Sequence, residues 1–147
     1  MLPIALARAL FSDSTEFFGE RPVTEFSGWF ELPVITAALA GSPQARLCTW
    51  GVPNSGGSFS MHVAQVTPEI RAAIEAALPG AGFSSVVMGT VTAYEATGET
   101  EISSIAATHL FTRNLWIMCN AGSLSVSGAV TGSALDALRT ANPTLGL

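Results

Sequence analysis

Apolar and polar positions alternate at every second residue over much of the chain, and only a few segments carry the wider spacing of a helix. Phe59 to Val66 sets Phe59, Met61 and Val63 against Ser60, His62 and Ala64, the period of a strand with one buried face. Val23 to Leu32 does the same, with Phe26, Gly28, Phe30 and Leu32 opposite Glu25, Ser27, Trp29 and Glu31. Pro33 then ends that strand or confines it to a sheet edge. Arg46 to Gly51 reads as a short strand carrying Cys48 and Trp50. In the second half, Phe83 to Tyr94, Glu101 to Thr112 and Leu115 to Cys119 read as an antiparallel meander joined by Ala96-Thr97-Gly98 and by Arg113-Asn114. From Ser123 the alternation resumes. Ser123, Ser125 and Ser127 fall on one side, Leu124, Val126 and Val130 on the other, which predicts a last strand running to Thr131.

Helical spacing is clearest from Pro68 to Leu78, where Ile70, Ala73, Ile74, Ala77 and Leu78 form one stripe. Thr67 suits the N-cap, Pro68 the first helical position, and Pro79-Gly80 the stop. Arg71 and Glu75 fall four apart on the outer side of this helix. The amphipathic opening MLPIALARALF predicts a short helix or an anchoring arm. The aromatics of EFFGERP, from Glu16 to Pro22, pin an irregular segment, and Val34 to Ala40 fits helix or strand. Ser133 and Asp136 have capping-box spacing ahead of a brief helix over Leu135 and Leu138, which Pro143 stops.

About seven strands with two or three short helices make an α+β, mainly β domain, built as a largely antiparallel sheet or a two-sheet sandwich. A sandwich with a helix over one end is the favoured arrangement, and one sheet with helices on a single face is the alternative. Residues 1–147 form a single domain, with 1–22 set apart as an N-terminal arm or short helix.

The stretch from Asn114 to Leu135 carries no charge over its 22 residues, which raises the question of a membrane span. A spanning helix needs about 20 predominantly apolar residues. This stretch holds two Asn, four Ser, one Thr and three Gly, so no span is expected. Its strand face of Ser123, Ser125, Ser127, Ala129 and Thr131 is small and neutral, without the charges that usually discourage edge pairing.

Composition extends that neutrality to the whole exterior. Charged residues make up 12% of the chain, about half the usual quarter, and none is lysine. The six arginines are scattered singly, and the net charge is −5, so direct phosphate-backbone contact with nucleic acid is not expected. A GC-rich genome would also favour arginine over lysine. The N-terminus lacks a basic leader and a small-residue cleavage site, so secretion by a signal peptide is not expected.

Candidate chemistry is thin. His62 and His109 lack the close ligand spacing of a zinc motif, and two cysteines are too few for a disulfide scaffold. Cys119 with His109 is a conceivable nucleophile pair, although LWIMCN is an environment that raises a thiol pKa. No GxSxG elbow occurs, and the Asn54–Ser58 loop lacks a P-loop lysine. Glu95, Glu99 and Glu101 cluster near one expected hairpin. No catalytic residue, metal or cofactor is assigned.

What remains is surface. Phe17, Phe18, Trp29 and Trp50 lie among Gly and Pro in the N-terminal third, and tryptophan is enriched at the centres of interfaces. Together with Ser123, Ser125 and Ser127 they are the interface candidates. The expectation is a non-enzymatic, self-assembling structural protein, most simply a virion or capsid-associated subunit assembled in the host cytoplasm. Its partners would be copies of itself or other coat proteins. The alternatives are a β-sandwich or barrel whose Trp29, Trp50 and Trp116 line a small-ligand pocket, and a small Cys/His-dependent enzyme.

Overall fold

The alternating segments pair into one sheet. In a computed structural model that describes residues 2–23, 30 and 32–147, the strands are β1 (Glu16–Arg21), β2 (Arg46–Gly51), β3 (Ser58–Gln65), β4 (Ser84–Met88), β5 (Val91–Glu99), β6 (Ser104–Thr112) and β7 (Leu115–Ala121). Their spatial order is β1-β2-β3-β7-β6-β5-β4, and every neighbouring pair is antiparallel. The two-sheet sandwich is therefore not what forms. The single crossing of sequence order is β3 to β7, where the chain returns after the β4–β6 meander.

Among the described residues four α-helices cover the sheet: α1 (Ile4–Leu10), α2 (Pro33–Ala40), α3 (Pro68–Ala77) and α4 (Leu124–Ala141). On one face α1 and α4 lie over Cys48, Trp50, Phe59, Met61, Leu110, Ile117 and Cys119. On the other, α2 and α3 bring Ile35, Leu39, Ile74 and Leu78 onto Ala64, Ala107, Phe111, Trp116 and Met118. Burying each large side chain of this kind stabilises the fold by about 1.5–3 kcal/mol. Because helices sit on both sides, β6 and β7 are buried almost throughout; neither carries an acidic or basic side chain other than His109, and the buried Thr108 and His109 are hydrogen-bonded. No helix among the described residues is long and apolar enough to cross a membrane.

The largest departure from expectation is α4. The segment from Ser123 to Thr131 is helix, and Ser123 is its N-cap, the hydroxyl accepting from the Val126 amide at 3.4 Å. Two periods coexist in this sequence. The buried positions 127, 128, 130, 131, 134 and 135 form a helical stripe, while the serines merely happen to alternate. Glycine and serine serve here to bring the helix close. A β-carbon added at Gly128 would stand 3.2 Å from Glu95 Oε1.

Smaller differences have local causes. The Phe17-Phe18 segment is the edge strand β1, and its irregularity is a register shift between Phe17 and Gly19, with Gly19 at φ +127. Phe83 to Tyr94 is divided by the Gly89-Thr90 turn, Met88 pairing with Val91 and Gly89 at φ +62. Ala96-Thr97-Gly98 is inside β5, and the loop lies at 100–103. Pro33 opens α2. The expected strand from Val23 to Leu32, with Trp29, falls mostly outside the described residues. Helix α3 and its Thr67 cap match expectation, Thr67 Oγ1 accepting from Ile70 N at 3.3 Å.

Replacing Ser123 with Ala removes the α4 cap and lowers unfolding stability by about 1 kcal/mol. Ser125→Ala, at an exposed position in the first turn, changes it by less than about 0.5 kcal/mol. Urea denaturation of the two variants checks this.

Candidate functional site

The registers decide which reactive side chains can meet. Thr108 pairs with Cys119 and His109 with Met118, so Cys119 and His109 project to opposite faces. Cys119 lies under α4 among Ile117, Met61 and Cys48, while His109 meets Phe83 edge-on at 4.9 Å and stacks on Trp116 at 5.8 Å. The sheet itself separates this nucleophile from its base. Burial pushes the Cys119 thiol far above its ordinary range, and Cys48 is raised by burial and by the nearby Glu20 carboxylate.

Cys48 and Cys119 share a face but flank β3, Cys48 pairing with Met61 and Met61 with Cys119. Two strand spacings hold their α-carbons about 10 Å apart, beyond the roughly 7 Å limit of a disulfide. Both are free and buried.

The histidines are buried on the α2/α3 face. Trp116 Nε1 donates to His109 Nδ1 at 3.2 Å, a bond that requires Nδ1 to be unprotonated. Burial, with a smaller contribution from His62, lowers the His109 pKa to about 3. Burial alone lowers that of His62 to about 4. Among the described residues no group of three or more His, Cys, Asp or Glu could hold a metal ion. Glu95 stands apart from Glu99 and Glu101, which lie at and just beyond the end of β5. Glu95 turns toward α4, where Thr108 Oγ1 donates to it at 3.4 Å, and Glu99 lies four residues, about 13 Å, along the strand.

The tryptophans likewise do not share a pocket. Trp50 is fully buried on the α1/α4 face, stacked on Phe59 at 5.3 Å and met by Phe17 at 5.2 Å. Its indole Nε1 finds no hydrogen-bond partner among the described residues. Trp116 is buried on the opposite face between His109 and Phe111, and Trp29 lies outside the described residues. Trp50 therefore acts in the core and not at an interface. The three serines also part company. Ser127 is buried, sharing a hydrogen bond with Thr108 at 2.8 Å, Ser123 caps α4, and only Ser125 is exposed.

Several concavities lie among the described residues, one of about 470 Å³ beside Ser42, Pro43 and Thr67; two others bear on the candidates above. An apolar groove of about 410 Å³ runs between the C-terminal half of α4 (Ala134, Leu138, Ala141) and Cys48, Met61 and Val63, with Glu20 and Arg46 in its lining. Those two form an ion pair of 3.1 Å that is about half exposed, so it contributes little to stability. A more polar trough of about 560 Å³ includes Thr49, Ser60, His62, Asn120 and Arg21. The Thr49 and Ser60 hydroxyls bond each other across it at 3.1 Å. Such a trough can hold a small polar molecule.

The sheet edges differ in kind. β1 carries Glu16, Glu20, Arg21 and the register shift, with Phe17 and Phe18 at 38% and 45% exposure. β4 reads SSVVM, without a charge or a proline, and leaves Val87 82% exposed. Sequence reading missed this edge because it merged β4 with β5. The signal was Gly89-Thr90 between two apolar runs.

Compared with protein-family models, with curated proteins and with solved structures, the chain matches none.

Two outcomes follow from the buried groups. Below pH 6.5 an unfolded chain protonates both imidazoles, whereas the fold resists until about pH 4 and 3. Stability therefore falls as pH drops from 6.5, by at most about 1.4 kcal/mol per unit for each histidine. Denaturation at pH 6 and pH 5 shows this slope, and His62→Gln roughly halves it. In the native protein neither thiol reacts with a neutral-pH alkylating reagent on the timescale on which both react in denaturant.

Proposed function

We propose that this chain is a structural protein that works by association, a subunit of a virion or comparable shell that contacts copies of itself or other coat proteins. The observation that supports this reading is the character of the exterior. The accessible surface is 7530 Å², close to the roughly 7,000 Å² of an isolated chain of this mass, and six cations and eleven anions serve all of it. Among the described residues Ile4, Phe17, Phe18, Val87, Ile102 and Leu145 stand exposed. Sparse charge and scattered apolar contacts favour association, since removing apolar area from water contributes about 25 cal/mol per Å². Contacts that are weak singly hold an assembly when many act in parallel.

The apolar groove along α4 favours a second reading, a module that holds a small apolar molecule against Met61, Val63 and Leu138. Such a ligand appears in a native mass spectrum as a discrete added mass, and it is displaced by Ala137→Trp at the groove wall.

Sedimentation velocity on the purified chain tests the first reading. The expected result is a weight-average mass that rises with concentration toward multiples of 15.2 kDa. A strictly monomeric species up to about 1 mM, well above the concentrations of weak interfaces, overturns it.

A further inference from the structure

Resting on that reading of self-association, we infer that β4 is the self-pairing edge, two copies joining antiparallel about a two-fold axis through Val86 to continue the sheet from one molecule into the other. The first support is the contrast between the two edges. Strand β1 is guarded by Glu16, Glu20, Arg21 and a shifted register, the devices that discourage strand addition. Strand β4 has none of these. Its five pairs with β5 run without a shift, and alternate backbone N–H and C=O groups point outward from it.

The second support is that β4 complements itself. A two-fold at Val86 sets Ser84 opposite Met88 of the other copy, Ser85 opposite Val87, and Val86 opposite its own counterpart. Small faces large on both sides of the sheet, and no like charges meet, because the strand has none. One step further out, Gly89, at φ +62 without a side chain, comes opposite Phe83.

A second copy fits this edge better than a charged peptide would, since β4 offers no ionic partner to select one. A five-residue ladder buries less than the roughly 1,200–2,000 Å² of a standard interface, so the pairing is weak and concentration-dependent.

Variants with one added cysteine, beside the buried Cys48 and Cys119, and charge variants of the full chain test the pairing. Directly opposed α-carbons stand about 4.5–5.5 Å apart, within disulfide range, so Val86→Cys forms a covalent dimer on mild oxidation. Val87→Cys does not, because Val87 opposes Ser85 and is offset from its own copy by about 6.8 Å along the strand. Val87→Lys, at an exposed position, keeps the thermal stability of the parent and weakens association about tenfold or more. Ile102→Lys, 92% exposed in the β5–β6 loop, leaves association unchanged. Wild-type association in Val87→Lys, or equal cross-linking of the two cysteine variants, overturns the β4 pairing while self-association stands. Loss of association in Ile102→Lys alone does the same and moves the contact elsewhere. A wild-type chain that stays monomeric throughout overturns both readings.

Discussion

The hydrogen bond between Ser127 and Thr108, 2.8 Å long and wholly buried, lies at the contact on which the layered arrangement depends. Helix α4 must come close enough to β6 and β7 to seal one face of the two central strands. It does so along Ser127, Gly128, Thr131 and Ala134, side chains too small to hold the helix away. Small polar residues in such a seam are tolerable only if their hydroxyls are satisfied, because an unpaired buried group costs about 1–3 kcal/mol. Thr108 is served by Ser127 and Glu95, and Thr131 donates back to the Ser127 and Gly128 carbonyls of its own helix at 3.0 and 2.9 Å. With that face closed, Ile117, Cys119 and Leu110 become core. The opposite face, under α2 and α3, then fixes the aromatic row of Phe111, Trp116 and His109.

How much of this could be read from the residues varies with the kind of signal. Strand β3 announces itself by alternation even though His62 and Ala64 are buried as well as Phe59 and Met61, and α3 by its stripe and cap. The segment from Ser123 was misread because Ser-Leu-Ser-Val-Ser satisfies a period of two while Ser127, Thr131, Ala134 and Leu135 satisfy a longer one. Propensity could not arbitrate, since Gly128 and Gly132 argue against both states. Only the sheet's need for a cover decided it. The separation of Cys119 from His109 was, by contrast, already legible. A two-residue turn at Arg113-Asn114 pairs Thr112 with Leu115, and counting back from there opposes Cys119 to Thr108, one residue off His109. Parity alone places the two side chains on opposite faces. Which residues line the concavities was not legible, because those lists depend on which helix crosses which strand.

Scarcity of charge shapes the exterior differently from place to place. Among the described residues the ion pairs are Arg71 with Glu75 along α3, Arg139 with Asp136 along α4, and Arg46 with Glu20 at the β1 edge. Arg71 also reaches across, its guanidinium 5.6 Å from the Phe111 ring and donating to the Arg113 carbonyl at 3.3 Å. Charge thus fastens helices to the sheet and protects one edge of it. Little is left to keep molecules apart, and the edge that receives none is β4.

Coverage of the sheet on both faces limits how such molecules can meet. A one-sided sheet could stack face to face with a second copy and bury a broad apolar layer. Here α1 and α4 occupy one face and α2 and α3 the other, so the sheet can approach a neighbour chiefly through its edges. An edge offers backbone hydrogen bonds along a line, which fixes direction and register strongly but buries little area. The association proposed above would by this route be geometrically specific and individually weak. That combination would suit a repeating assembly, where each contact must be able to release and re-form until neighbouring contacts agree. The same double cover encloses His109 and Cys119 within the two cores, while His62 and Cys48 lie at the walls of the trough and the groove.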